Sequence, residues 1–552
     1  MSRALTSAST LETLKKEAKR WLRMLQAGDV GARDRLRAVL PNAPSTPGLR
    51  HVQLALAREH GLAGWADLKA ALDDLALARR SRAERLEIVL RSAWQGDPSA
   101  AARILARSPD IAADSLYAAV AAGNLDECRR RLAADPAAAT RRGGPLAWEP
   151  LLYLAYARLP GSAAHALDVA RLLLDAGADP NVSFNDGWDN PFTVLTGVIG
   201  EGEGDQPPHP HAVALVTLLV ERGANPFDTQ ALYNTSLRHD DSAWLDILWA
   251  LAEQRGAVAP WRAVSDKIGG RVPLSALDYL LGNAVENNHL RRAQWLLTHG
   301  ADAGGVHAYS ARPLREQALV SGNVAMADLL VRHGAPVVPL QGLAAFQAAC
   351  MRLDRDDARA LAALDPGYLR HAPLMLRAAE QGRTDVVALL LELGMEVDVA
   401  DATQQRGLHN AAGSGAIEVA RLLIAHGADV DRPTTQYGGA LSFAGHFGQH
   451  DMAAFLAPLS RDVPALVYLG MEDRLRALFA AEPVLVNAVH PKSGKTPLFA
   501  LPDDEDQAVR MTEFLMAQGA DPTIRNSEGL TAEQAARQRG LTDAADLMVG
   551  KD

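Results

Sequence analysis

The sequence has few cysteines, few lysines and few aromatic residues. Its 552 residues include only two cysteines, Cys128 and Cys350, which are 222 residues apart. Two distant cysteines cannot form a disulfide framework or a zinc cluster, and they favour a reducing, cytoplasmic setting. Each one lies in a helical pattern, so we expect a small buried residue; a reactive thiol is the less favoured alternative.

Long apolar runs and an excess of positive charge are also missing. No stretch of about 18 apolar residues occurs, and the N-terminus lacks the apolar core of a signal peptide, so no membrane segment is predicted. The formal net charge of -10 argues against general nucleic-acid binding, which requires a basic surface. Eight of the 56 basic residues are lysine, which with abundant alanine suggests a GC-rich bacterial source.

The sequence contains none of the short motifs that mark common enzyme sites. There is no H-E-x-x-H, no G-x-S-x-G and no pair of C-x-x-C motifs. The acidic run PDDED at 502–506 lacks the alternating spacing and the turn glycine of a calcium loop, so we expect a solvated turn between helices. We therefore predict no catalytic residue, no cofactor and no metal.

One phrase of about ten residues recurs along the chain. It reads LLLDAGADPN at 172–181 and LLIAHGADVD at 422–431, and five further copies resemble these two. Its glycines are Gly177, Gly223, Gly300, Gly334, Gly394, Gly427 and Gly519. Two of the gaps between them are 34 and 33 residues, and the larger gaps fit insertions or decayed copies. The chain thus has an irregular period near 33 residues.

The repeated phrase predicts the end of a helix. Val419, Leu422 and Leu423 recur at the spacing of one buried helical face, and Gly427 suits the left-handed position just beyond a helix. A second helix precedes each phrase and often carries proline in its first turn, as at Pro150. Each unit should therefore contain a helix, a short turn, a second helix and a loop.

Units such as QQRGLHNAAGSGAIEVARLLIAHGADVD, at 404–431, resemble ankyrin repeats. The resemblance runs from about residue 85 to the end and implies an all-α fold, an α-solenoid of stacked helix-turn-helix units with short hairpin-like loops. We divide the chain into an N-terminal helical segment at 1–80 and an array at 81–552. The array is expected to hold about 12–13 units, several of them degenerate, with a C-terminal cap at 527–552 and an arc length of roughly 120 Å.

The N-terminal segment carries a basic helix face. Lys15, Lys16, Lys19, Arg20 and Arg23 outnumber the nearby acids. A membrane-surface or nucleic-acid role is possible for such a face, but a solvated face opposite a packed stripe is the favoured interpretation.

The stretch SGKTPL at 493–498 resembles part of a phosphate-binding loop. Such a loop needs glycine five residues before Gly494, where this chain has Val489, and Pro497 lacks the amide hydrogen that phosphate would require. We instead predict a hairpin-like loop between units, in which Thr496 caps a helix that Pro497 opens. ATP and GTP should not bind.

A Gly- and Pro-rich insertion at 199–211 lengthens one unit. His209 and His211, with Glu201, Glu203 and Asp205 nearby, could in principle ligate a metal, but their spacing matches no defined site. A surface loop that packs over the neighbouring repeat, where 230–235 offers polar partners such as Tyr233, is favoured. This loop is one of two places where an enzymatic site could lie, the other being the N-terminal segment.

The resemblance implies a non-catalytic, monomeric scaffold that binds another protein through its concave face and loop tips. The candidate contact residues are Trp148, Trp188, Tyr309, Arg312, Gln404, Gln405 and Tyr437. Two alternatives remain. One is an enzyme or toxin-like, host-directed effector with a site in the N-terminal segment or the 199–211 loop. The other is a stress or immunity protein that neutralises the product of a neighbouring gene.

Overall fold

A computed structural model describes residues 3, 5, 9–94, 96–187, 191–202, 206–237, 239–265 and 270–549. Helix makes up 60% of it and strand 3%, and the described ranges contain 32 α-helices. The predicted all-α solenoid is confirmed. No helix in these ranges is long and apolar enough to cross a membrane.

The N-terminal segment folds into four helices: α1 (Leu11–Gln26), α2 (Val30–Val39), α3 (Leu49–Glu59) and α4 (Trp65–Arg79). Trp21 is buried among them, and its indole Nε1 donates to the carbonyl oxygen of Ala32 at 3.0 Å. The guanidinium of Arg35 lies 3.8 Å from the centre of the Trp21 ring and also pairs with Glu17 and Glu59. These contacts fix the segment as one packed unit.

Fourteen helical pairs follow in the described ranges, and the first helix of the thirteenth is a single 3-10 turn, Pro497–Phe499. The first six pairs are α5 (Arg82–Arg91) with α6 (Pro98–Arg107), α7 (Leu116–Ala122) with α8 (Leu125–Ala134), α9 (Pro150–Tyr156) with α10 (Ala166–Asp175), α11 (Val194–Ile199) with α12 (Ala212–Glu221), α13 (Thr229–Asn234) with α14 (Ala243–Gln254), and, after the short α15 (Ala259–Arg262), α16 (Ala276–Glu286) with α17 (Leu290–Thr298).

The next six pairs are α18 (Leu314–Val320) with α19 (Val324–Arg332), α20 (Gly342–Met351) with α21 (Arg355–Leu364), α22 (Ala372–Glu380) with α23 (Thr384–Glu392), α24 (Gly407–Ser414) with α25 (Ile417–Ala425), α26 (Ala440–His446) with α27 (His450–Leu456), and α28 (Val463–Tyr468) with α29 (Glu472–Ala481). The 3-10 turn at 497–499 then pairs with α30 (Glu505–Ala517), and α31 (Ala532–Gln538) with α32 (Thr542–Met548).

The helix-ending phrase has the predicted conformation. Val419 and Leu423 on α25 are buried, and Gly427 follows that helix with φ of +91°. An L-amino acid is strained at this angle, which explains why glycine recurs at this place in the unit.

Hairpin-like loops, here called fingers, connect the units. Two fingers form short antiparallel strand pairs, β1 (Ser183–Phe184) with β2 (Phe192–Thr193) and β3 (Val264–Ser265) with β4 (Leu274–Ser275). Others are closed by single bridges, such as that between Ala400 and Arg406.

The SGKTPL stretch is a finger followed by a tight turn. His490 N–H donates to Lys495 O at 2.9 Å, as expected for a hairpin-like loop. The helix-capping prediction for Thr496 was wrong. Pro497 opens only a 3-10 turn, and the Thr496 hydroxyl is buried without a hydrogen-bond partner in the described part of the chain. A single turn presents too few free amides to need a side-chain cap.

The two ends of the chain meet. Buried side chains of α1 to α4 form one hydrophobic cluster with those of residues 346–548. Lys15 Nζ lies 3.2 Å from a carboxylate oxygen of Glu505 and 3.5 Å from one of Asp543, while Lys19 Nζ lies 3.2 Å from Asp543 and also pairs with Asp546. The prediction of a solvated basic face therefore fails for Lys15 and Lys19, because acidic residues of α30 and α32 cover them.

The other end of the N-terminal segment contacts the first unit. The Asp74 carboxylate lies 3.3 Å from Arg103 and 2.5 Å from Arg107, both on α6, and Leu77 packs against the apolar core of the first half of the array. The stacked units and the N-terminal segment thus form a closed loop, a closure that the sequence analysis did not predict.

Candidate partner-binding surface

The fingers and the first helices of the pairs form one face of the array, here called the finger face. Trp148 lies at the base of the finger that precedes α9, where Gly143 N–H donates to Trp148 O at 2.9 Å. The Trp148 side chain is buried, and its ring centre lies 4.4 Å from that of Phe184 on β1. Trp148 thus acts as a packing residue as well as a candidate contact, whereas Trp188 lies outside the described residues.

An aromatic cavity opens beside Trp148. It has a volume of about 470 Å³ and is lined by Trp94, Trp148 and Phe184, with Arg142 and Asp186 among its polar residues. The Trp94 indole Nε1 is buried and has no hydrogen-bond partner among the described residues. The size and aromatic lining of the cavity suit an apolar or aromatic side chain.

Tyr309 and Arg312 lie on one finger further along the array. The Tyr309 side chain is 50% exposed, and its hydroxyl lies 3.4 Å from that of Tyr279 on α16. Arg312 is half-buried and contacts Glu316 and Gln317, each at 3.3 Å. Tyr309 therefore presents a ring to solvent, while Arg312 is already engaged within its own unit.

Gln404 and Gln405 are held in the finger that precedes α24. Gln404 has φ of +64°, and its carbonyl oxygen accepts from Arg406 Nη1 at 2.6 Å. The Gln405 amide donates to Asn410 Oδ1 at 2.7 Å. Gln404 is exposed, but its Oε1 accepts from Arg406 Nη2 at 3.0 Å, while Gln405 is half-buried, so both side chains are held within the finger.

Tyr437 belongs to a larger exposed aromatic patch on the finger face. Its ring is 51% exposed and lies 5.5 Å from that of His446 on α26. Phe447, which is 56% exposed, lies 4.9 Å from His446, and Tyr468 on α28 is 44% exposed. Tyr437, His446 and Phe447 thus form an aromatic patch, and exposed aromatic residues are frequent in protein-binding hot spots.

Sequence reasoning found only one member of this patch. Phe447 overlies Gly413 of the preceding unit, where an added Cβ would lie 3.2 Å from the Phe447 ring. The available signal was its position directly before the turn glycine, Gly448, where the preceding unit has Ser414. An aromatic residue at a normally polar, exposed repeat position marks a contact residue better than a finger aromatic alone.

The described parts of the 199–211 loop, 199–202 and 206–211, pack against neighbouring units, as the favoured interpretation predicted; Glu203 and Asp205 lie outside the described residues. Asn234 Nδ2 donates to Gly200 O at 3.3 Å, and Gln206 Nε2 donates to Tyr156 O at 2.9 Å. His209 is 3% exposed, and its Nδ1 accepts from the His211 backbone N–H at 3.1 Å. Burial lowers the pKa of His209 to about 4, assisted by the nearby Arg158 charge.

The polar residues beside this loop make contacts between units. Tyr233 is half-buried, and Asp240 accepts from the backbone N–H of Arg292 at 3.0 Å. Burial lowers the pKa of the Arg292 guanidinium to about 10 and raises the pKa of the Glu201 carboxyl above its usual value. The polar groups here connect neighbouring units.

The remaining candidate sites are a metal site and a reactive thiol. Across the residues that the structure describes, no group of three or more His, Cys, Asp or Glu side chains could hold a metal ion. Cys128 and Cys350 are both buried, as predicted, and burial raises the pKa of each thiol to about 12.

Three comparisons relate the chain to known proteins. Residues 374–465 match the family model for ankyrin repeats, with three copies. A search of curated proteins finds no match. Two similar solved structures are the Bd0816 predatory endopeptidase of Bdellovibrio bacteriovorus in complex with immunity protein Bd3460, and EF0377, an ankyrin repeat protein. Each is 22% identical with a TM-score of 0.26, covering 32% of this chain and 95% of the other.

Proposed function

From the premise that this chain contains ankyrin repeats, we propose that it is a non-catalytic scaffold that binds another protein through the finger face. The observation that carries the proposal is the aromatic patch of Tyr437, His446 and Phe447. Large rings on a rigid face lose little conformational entropy when a partner covers them, so a few of them can supply most of the binding energy.

The non-catalytic part of the proposal is supported by the state of the reactive side chains. Both thiols are buried with raised pKa values, and His209 is buried with its Nδ1 occupied by a backbone N–H. The two unpaired cysteines support a reducing, cytoplasmic setting.

Affinity capture with the purified full chain tests the proposal. A partner captured by the wild type is purified, and its affinity is measured by calorimetry for the wild type and for Tyr437→Ala/Phe447→Ala. Loss of a hot-spot pair costs about 2 kcal/mol or more, so we expect at least about 30-fold weaker binding.

Leu364→Ala provides the matched control, because Leu364 is exposed at the end of α21, a second helix, away from the finger face. This variant should bind like the wild type. Equal affinity of the wild type and the double variant would refute the assignment of the surface, and failure of the wild type to retain any protein would refute the binding function.

A further inference from the structure

The N-terminal segment makes two contacts of different kinds. At one end it continues directly into the array, because α4 ends at Arg79 and α5 begins at Arg82, and Asp74 holds α6 through Arg103 and Arg107. At the other end, α1 touches α30 and α32, which follow about 490 and 530 residues later. Only this second contact can separate without unfolding the connection between α4 and α5.

The separable contact combines complementary charges with the apolar cluster that α1 to α4 share with residues 346–548. Lys15 is 5% exposed, and its Nζ donates to Thr542 Oγ1 at 2.7 Å and to Glu505 at 3.2 Å. Lys19 lies 3.2 Å from Asp543, which is 1% exposed. Two further contacts also use acidic residues of α30: Lys69 lies 3.4 Å from Asp506, and the Leu49 N–H donates to Glu513 at 3.0 Å.

The charged part of this contact specifies the docked position but adds little to its stability. Both carboxylate oxygens of Asp543 are buried without a well-aligned hydrogen bond in the described part of the chain, although Lys15 and Lys19 lie close. Removing such ions from water costs about as much as their attraction returns, so a buried ion cluster adds little net stability. Rehydration of the same ions partly offsets the cost of separation.

The contact also fixes the curvature of the array. Each stacked unit touches mainly its neighbours, so the path of a solenoid is the sum of small rotations from unit to unit. Docking of the two ends of the chain on each other fixes the total rotation along the array. When this contact separates, every unit can relax slightly. A ligand that binds better to another curvature would weaken the docking of α1 on α30 and α32. By the same free energy, undocking of α1 would strengthen the binding of that ligand.

We infer that the N-terminal segment is a reversible latch that closes the array by docking Lys15 and Lys19 of α1 on the acidic α30 and α32. The latch opens by separating these helices while α4 stays attached to the first unit. This inference concerns the shape of the chain alone and does not depend on the identity, or existence, of a partner.

Small-angle X-ray scattering of the full chain tests the latch. Lys15→Glu/Lys19→Glu places like charges opposite Glu505, Asp543 and Asp546. We expect a larger radius of gyration, and a maximum dimension increased by at least the width of one unit, about 10 Å, with unchanged far-UV circular dichroism. Lys16→Glu/Arg20→Glu makes the same change in net charge at exposed positions of the same helix, and it should scatter like the wild type.

A scattering profile of the first variant that superposes on that of the wild type would overturn the inference, as would equal opening by the control variant. If the glutamate variant loses helix, Lys15→Gln/Lys19→Gln replaces it, because this change removes the attraction without adding repulsion. Opening of the glutamine variant with its helices intact supports the latch. A closed glutamine variant, or one that also loses helix, refutes it, since the segment would then not undock as a folded unit.

Discussion

Acidification should destabilise the 199–211 region through a single histidine. His209 is buried, its Nδ1 accepts the His211 N–H, and Arg158 adds a nearby positive charge. A proton on Nδ1 would break this hydrogen bond and place a second positive charge in the buried site. The perturbation is therefore a change of pH from 7.5 to 5.0.

The size of the effect follows from the pKa of His209, which is about 4 in the fold and 6.5 as the reference value for the unfolded chain. Because the pKa of His209 is lower in the fold than in the unfolded chain, His209 contributes its full stabilisation above pH 6.5. This stabilisation is lost as the pH falls towards 4. This difference is worth about 3 kcal/mol in total, of which about 2 kcal/mol is lost by pH 5.

Hydrogen exchange of the α11 and α12 amides at both pH values provides a local assay, because a long repeat array need not unfold in one step. His209→Asn keeps an acceptor, Oδ1, near the position of Nδ1 but cannot be protonated. This variant should lose about 2 kcal/mol less protection on acidification than the wild type. His211→Asn, at the neighbouring exposed histidine, should behave like the wild type. The reasoning is refuted if His209→Asn and the wild type lose equal protection.

Three further predictions concern other sites. Cys128 and Cys350, whose thiol pKa is about 12, should resist iodoacetamide at pH 8 in the folded chain and react fully in denaturant, as followed by mass spectrometry; native labelling would contradict their burial. Calorimetry should detect no saturable binding of ATP or GTP, because Pro497 removes an amide and Val489 replaces a glycine; a saturable isotherm would restore the phosphate-loop interpretation. Gly494→Ala should lower the free energy of unfolding by about 1–3 kcal/mol in urea titrations, and by more than Gly540→Ala does. Both glycines have positive φ, but a Cβ at 494 would lie 2.8 Å from Ser527 N, whereas a Cβ at 540 meets no described atom within 4 Å; equal costs would contradict this.

The parts of the fold that the sequence predicted depend on interactions within one unit. Gly427 ends a helix because of its own backbone angle, and Val419 and Leu423 are buried because they share one face of α25. Such local requirements repeat with the period and are therefore visible in one sequence. The same logic predicted the hairpin-like loop at 490–495, although the turn that follows it is tighter than the predicted capped helix.

The aromatic patch was only partly predictable, because it depends on contacts between units. Tyr437 was found as a finger aromatic, but Phe447 becomes part of the patch through the gap that Gly413 leaves in the preceding unit. Trp148 shows the opposite case, since Phe184 of the next finger packs against it. Whether a ring is exposed is thus decided by the neighbouring unit, and the repeat pattern of one unit does not contain that information.

The closed loop could not be predicted because a charged surface has two physical explanations that look alike in sequence. A terminal unit of a solenoid needs a polar outer side to remain soluble, so the acids of α32 were consistent with exposure to water. The lysines of α1 were likewise consistent with a solvated face. Asp543, at 1% exposure beside Lys15 and Lys19, shows that each surface is covered by the other. Recognition of this pairing requires the total rotation along fourteen units, because that total determines whether the opposite charges at the two ends meet.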